Sequence, residues 1–285
     1  MRKSLLTLGA LVVAMSANAQ FIQNVGDGAS VTIQTNSLLY NGGGVKVVGT
    51  GVVKNSGNVM IVGGATSKYS TVTTAGADKT DGGNFILVMT DTTSGNYRYG
   101  QLYIEGLTQD RITGIVDKQY KDDTHGTYQQ MALPFYQKKF SELNDEFGKT
   151  FSNTRWTQDE ILVNNNKAVR ADHFTSLSTQ TTADATSTVA GRNANTAYYM
   201  IGAKGLDLST VKTIKGVPYA EGITETLQDA GKDINFAGGY ARNVYKERYR
   251  TYLQDQFAAT AWAGDYGRNI YQFGNPFLTN LELSY

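Results

Sequence analysis

Four stretches of the chain bring potentially reactive side chains together in sequence. Asp78 and the Asp81-Gly82-Gly83 turn offer carboxylates to a calcium ion. An EF-hand loop needs acids at alternate positions and a closing Glu. Lys79 and Thr80 break that pattern, so a plain glycine turn is expected. Lys121-Asp122-Asp123-Thr124-His125 gathers two carboxylates and an imidazole. These are metal-ligand types, but the set would need partners from elsewhere, and a solvated loop is the expectation. Asp172-His173 has the form of an oriented general base, yet no nucleophile lies nearby and there is no Gly-x-Ser-x-Gly elbow. Gly148-Lys149-Thr150 resembles the end of a phosphate loop, but Leu143 stands where the cradle requires glycine. Paired carboxylates for glycoside hydrolysis are defined by their separation in space, which a sequence does not give. No catalytic, cofactor-binding or metal-binding residue is assigned.

Aromatic residues carry the remaining candidates. Tyr240 to Tyr252 interleaves tyrosines with Arg242, Lys246, Arg248 and Arg250, a pattern that serves single-stranded nucleic acid or anionic glycans. The favoured reading is a helix from Asn243 to Phe257. Its face of Tyr245, Tyr249, Tyr252 and Gln256 packs on a sheet while the basic stems reach water. As contacts to a ligand, Tyr245, Tyr249, Tyr252 and Trp262 are the candidates. Ordinary burial accounts equally well for Trp156 and Trp262, although exposed aromatics suit sugar stacking.

Composition removes whole classes of function. The 285 residues contain no Cys, which excludes disulfides, thiol catalysis and cysteine metal sites. Two His leave little for imidazole clusters, and a net charge of +1 does not suit bulk attraction to nucleic acid. No cofactor and no nucleic-acid partner are expected. Gly is high at 31, Pro low at 3, and Tyr unusually common at 18.

The first 19 residues read as a signal peptide. Arg2 and Lys3 form a basic start, Leu5 to Met15 an apolar stretch, and Ala17-Asn18-Ala19 a small-residue cleavage site. The apolar stretch is well short of the ~20 residues needed to span a bilayer. Export, cleavage before Gln20 and no membrane span thereafter are expected.

The elements that must position any site are mainly β. Val31, Leu38, Val45, Val52 and Val59 recur every seven residues, with Ile33, Tyr40, Val47, Lys54 and Ile61 two places on. Each pair is one face of a short strand, and the Gly/Asn clusters between them are turns. The spacing predicts either a meander or a small solenoid with three strand-and-turn units per coil, near 21 residues per repeat. Either way, the residues at seven-residue spacing should be buried. Residues 66–83 read as a surface excursion. Further strands are expected at 85–89, 97–104, 112–116 and 128–133. Ser141 is expected to cap a short helix bearing Leu143 and Phe147 and ended by Gly148, and 176–188 reads as a mobile loop. Strands at 270–273 and 281–285 should flank a turn at Gly274-Asn275-Pro276. The organisation expected is a β-repeat region over 20–120 followed by a β-sandwich-like domain over 121–285 with one or two short helices. The pattern running to Tyr285 predicts a fragment of a longer protein.

Phe273-Gly274-Asn275-Pro276-Phe277 followed by Leu281-Glu282-Leu283 resembles a motif of large secreted surface proteins of Bacteroidota. Tyr128 to Phe135 and Phe147-Gly148-Lys149-Thr150-Phe151 resemble segments of the same group. The resemblance implies a β-rich body ahead of a type IX secretion sorting domain, a domain not recognisable in this chain. It brings no catalytic residues. The expected function is an exported structural or adhesive cell-surface protein without catalytic activity, with extracellular glycans or other surface proteins as partners. The alternative is a carbohydrate-binding module or glycan-processing enzyme. Cell-surface or extracellular localisation is expected where a sorting domain follows, and a periplasmic one otherwise.

Overall fold

The computed structural model describes residues 22–93, 96–155, 157–165, 170–174, 176–182, 197–220 and 272–280. Its N-terminal part is a three-sided coil of parallel strands. The first turn holds β1 (Gln23–Val25), β2 (Ser30–Ile33) and β3 (Leu38–Asn41), and the second holds β4 (Gly44–Val48), β5 (Val52–Asn55) and β6 (Asn58–Val62). The third begins with β7 (Lys68–Val72) and β8 (Phe85–Leu87). It detours through the hairpin of β9 (Met89–Asp91) and β10 (Arg98–Tyr99), then closes with β11 (Gln101–Glu105). Each side of the coil is a parallel sheet: β1-β4-β7, β2-β5-β8 and β3-β6-β11. Gln23 pairs with Val45 and Ser30 with Val52, an offset of 22; Leu38 pairs with Asn58, an offset of 20. The solenoid is therefore the arrangement adopted, near the expected repeat.

The even seven-residue beat is not. The inward positions begin at Val31, Leu39, Val45, Val53 and Val59, so the steps alternate between eight and six. Val45, Val47, Val59 and Ile61 are buried as expected, but Leu38 and Tyr40 point out at 62% and 60% exposure. Val52 is half-buried and Lys54 is exposed, while Val53 and Asn55 face in. Two kinds of corner explain the alternation. The six-residue steps cross Asn41 and Asn55, whose side-chain oxygens accept the amides of Gly43 and Gly44, and of Gly57, and so close a tight turn. The eight-residue steps cross a residue in the left-handed region, Asn36 (φ 65°) or Gly49 (φ 59°). A slip of one residue exchanges the two faces of a strand, and the corners impose that slip twice.

Side chains fill the coil. Tyr69 is fully buried, its hydroxyl donating to the Ile115 carbonyl and its ring edge-on to Phe85. β7 is thus interior, and the surface excursion expected over 66–83 shrinks to the turns that follow Val72. Ile112 makes a single parallel bridge to Tyr69, so the strand expected at 112–116 instead starts at Val116 as β12 (Val116–Tyr120), parallel to β8.

The second region is a four-stranded antiparallel sheet and a helix. β13 (Tyr128–Met131) leads through a 3-10 turn at Phe140–Glu142 into α1 (Leu143–Phe147), then β14 (Ile161–Asn165), β15 (Arg170–His173), β16 (Tyr199–Gly202) and β17 (Lys212–Gly216). The sheet order is β13-β16-β14-β15. Leu143 and Phe147 share the buried face of α1, and Gly148 ends it in the left-handed conformation at φ 64°. Ser141 does not cap it: Glu142 holds that position, with no side-chain cap bond. Of the loop expected over 176–188, Leu177 and Thr182 are buried, and 183–188 lie outside the described residues. Thr182 Oγ1 donates to the Phe135 carbonyl and accepts the Lys138 amide. Phe140 stacks on Phe174 at 4.2 Å and leans on Tyr199. β17 returns to pair antiparallel with β12, and one buried core runs through both regions. At 272–280 no strand forms. Asn275 closes a turn by accepting the Phe277 amide and donating to the Thr279 carbonyl, and Leu278 accepts the Leu102 amide. The expected strand at 281–285, and residues 270 and 271 of the strand expected at 270–273, lie outside the described residues.

Candidate functional site

The outward face of the β3-β6-β11 sheet carries an aromatic row flanked by the polar side chains of Asn58, Gln101 and Glu105. Alternation places Leu38 and Tyr40 of β3, Met60 and Val62 of β6, and Tyr103 of β11 on this side. Tyr40 is in register with Met60, and Met60 with Tyr103, so the three form one row across three parallel strands. Strands in a sheet lie about 4.8 Å apart, which sets the two tyrosines at roughly 10 Å on a nearly flat surface. Tyr103 is 39% exposed, and its hydroxyl donates to Glu105 Oε2 at 3.0 Å. The row can offer ring faces and phenol hydroxyls together, the combination that lets an aromatic residue meet a ligand both apolar and wet.

A cleft of about 980 Å³ lies between the coil and α1, and its walls are charged. Lys138 is fully buried, and its ammonium donates to Glu142 Oε2 (3.1 Å), Glu146 Oε1 (2.8 Å) and the Lys215 carbonyl (2.8 Å). All three of its protons are used, and together they tie α1 to β17. Asp117 accepts the Gly83 amide and so closes the Asp81-Gly82-Gly83 turn. Burial raises the Asp117 carboxyl pKa against the opposing pull of the Gly83 amide and Lys215. Burial likewise raises Glu146, opposed by Lys138. Asp117 Oδ1 and Glu146 Oε2 are buried with no hydrogen-bond partner among the described residues. Two carboxyls whose pKa burial raises thus line one cleft, though each has an oxygen engaged in holding the fold.

The candidates from sequence fall apart in space. Asp78 accepts the Thr113 hydroxyl, while Asp81 pairs with Lys79 at 3.5 Å. Asp122 caps its own turn, accepting the amide and hydroxyl of Thr124, and also takes an amide proton of Gln129. Tyr97 donates to Asp123, and His125 Nδ1 contacts the Gly126 carbonyl. Among the described residues no three acids or imidazoles are grouped to hold a metal. Lys149 is committed to Asp159 at 2.6 Å and to the Lys204 carbonyl, which removes it from any phosphate loop. His173 lies in β15, paired with Leu162. Tyr245, Tyr249, Tyr252 and Trp262 lie outside the described residues, as does Trp156. The residues missed were Tyr40 and Tyr103, and the paired acids Asp117 and Glu146. The even beat places Tyr40 in the interior, where the structure has it 60% exposed. No described helix is long and apolar enough to cross a membrane.

No family model matches the chain, and neither the curated proteins nor the solved structures contain a match.

Proposed function

We propose that this is an exported, non-enzymatic surface protein that adheres to extracellular glycan through the outward face of β3-β6-β11. The observation that carries the reading is the in-register Tyr40–Met60–Tyr103 row beside exposed Leu38. Spaced aromatic rings on a flat sheet, beside the polar side chains of Asn58, Gln101 and Glu105, fit the faces and hydroxyls of sugars along an extended chain. The basic, apolar and small-residue order of residues 1–19 supports export, and the Gly-Asn-Pro-Phe resemblance supports a Bacteroidota surface protein. The test is retention of the mature chain on insoluble polysaccharides and a glycan array. Tyr40→Ala with Tyr103→Ala should abolish saturable retention without loss of fold. Unchanged retention by the double variant refutes the assignment. Intact mass of the exported protein should begin at Gln20.

A second reading, glycan processing, rests on Asp117 and Glu146, since raised carboxyl pKa values suit a general acid. Reducing-end release from a polysaccharide by the wild type, lost in Glu146→Gln, would favour it over adhesion.

A further inference from the structure

Five residues form one inward-facing row on the second side of the coil. Ile33 pairs with Asn55, Asn55 with Leu87, Leu87 with Lys118, and Lys118 with Ile214. Lys118 is the charged member of an otherwise neutral row. Asn55 is fully satisfied, donating to the Gln101 carbonyl and accepting the Gly57 amide. Among the described residues, the Lys118 ammonium makes no hydrogen bond and no ion pair. It sits 3.8 Å above the Tyr99 ring and 5.6 Å from that of Tyr120. A charge turned towards a core without a counter-ion is costly, and ring faces return part of the cost.

The ammonium opens onto a cavity of about 360 Å³ walled by Tyr97, Tyr99, Tyr120, Gln129 and Asn275. Gln129, 5% exposed, spends its amide protons on Asp122 and the Gln130 carbonyl and has its Oε1 buried without a partner. The other charges on the wall, Lys121 and Asp122, have neutral hydrogen-bond partners. Lys121 donates to the Thr92 carbonyl, and Asp122 is held by Thr124 and Gln129. Lys118 and Lys121 against Asp122, whose charge is felt at Tyr99 and Tyr120, leave the wall one positive charge in excess, and the cavity supplies ring faces and amide groups. Desolvation lowers the Lys118 pKa to about 8, as expected of an ammonium that has no anion beside it.

We propose that this cavity binds a sugar acid. Lys118 takes the carboxylate, the tyrosines face the pyranose ring, and Gln129 Oε1 accepts a ring hydroxyl. One unpaired base balances the single charge of a carboxylate, whereas a phosphate carries more than one charge and is better matched by several donors. The site is separate from the Tyr40–Tyr103 platform, so either can fail alone.

The experiment titrates the mature chain, carrying ¹³C-labelled lysine, with D-glucuronate and D-galacturonate. D-glucose, D-galactose and inorganic phosphate serve as comparisons. One of the two uronates should shift the Lys118 ε-carbon resonance saturably and move the Lys118 pKa up towards 10.5. The neutral sugars should bind on the order of tenfold more weakly. Lys118→Met, which suits the apolar row, should fold and lose the preference for the acid, while Lys118→Arg should retain part of it. No uronate response at Lys118, tighter binding of phosphate, or an acid preference that survives in Lys118→Met would overturn the proposal.

Discussion

Replacing Lys118 by Met should stabilise the protein near neutral pH. The lysine pKa falls from 10.5 to about 8 through burial, and at about 1.4 kcal/mol per unit this sets the cost of keeping it charged in the fold at about 3 kcal/mol. The ring contacts with Tyr99 and Tyr120 offset about 1–2 kcal/mol of that. Met keeps the apolar stem and removes both terms, so a net gain of about 1–2 kcal/mol is expected near pH 7. The gain must depend on pH in a particular direction. The folded chain binds fewer protons than the unfolded chain between the two pKa values, so wild-type stability rises across that window. Near pH 10 the folded lysine is mostly neutral, and the variant and wild type should agree within about 1 kcal/mol. Urea unfolding at both pH values, followed by circular dichroism, measures the difference. Destabilisation of Lys118→Met near neutrality, or a gain that does not change with pH, would refute the placement of the ammonium against the core.

Three further outcomes follow from the same contacts. Asn55→Ala leaves the Gln101 carbonyl and the Gly57 amide unpaired inside the coil, and should cost about 2–4 kcal/mol in chemical denaturation; a loss below that range would mean the corner closes without its side chain. Lys138→Met strands Glu146 and should cost about 3–5 kcal/mol, with much of it recovered in Lys138→Met/Glu146→Leu; equal instability of the single and double variants in a thermal melt would contradict the buried pair. The raised pKa of Asp117 means that the fold holds a proton the unfolded chain releases, so stability falls as pH rises through the usual carboxylate range. Asp117→Asn should therefore gain on the wild type as pH is taken upward from that range, and a constant difference across the titration would tell against a desolvated carboxyl.

The coil was legible in sequence because its period is local. Val45 with Val47 and Val59 with Ile61 sit in the expected register, and the Gly/Asn clusters fall at the corners. The face assignment of Leu38, Tyr40, Val52 and Lys54 was not legible, because seven is the mean of eight and six. Which corner is tight depends on whether an Asn side chain folds back onto the amides that follow it. Asn41 and Asn55 carry that information, and they read in sequence as ordinary turn residues. α1 was legible from the four-residue spacing of Leu143 and Phe147 and from Gly148. The Lys118 cavity was beyond reach: its row joins residues from Ile33 to Ile214, and Val116 to Tyr120 shows no apolar alternation to mark an inward lysine. The charged cleft is non-local in the same way, since Asp117 meets Gly83 and Lys138 meets Glu146 and the Lys215 carbonyl.

The reversal of direction at β17 bears on how such a chain lengthens over evolution. A parallel coil can in principle add turns at its end, because each turn is a template for the next. Here the β2-β5-β8-β12 side finishes against a strand running the other way, delivered from nearly a hundred residues later. A turn added after β12 would have to displace β17, and with it the anchor of Lys138 and α1. New turns are therefore admissible within the coil, where a duplicated unit of 22 residues restores the same corners and moves each end only by one strand spacing. Growth and loss of this architecture are thus barred at the β12 end, where the second region travels with the coil as a fixed cap.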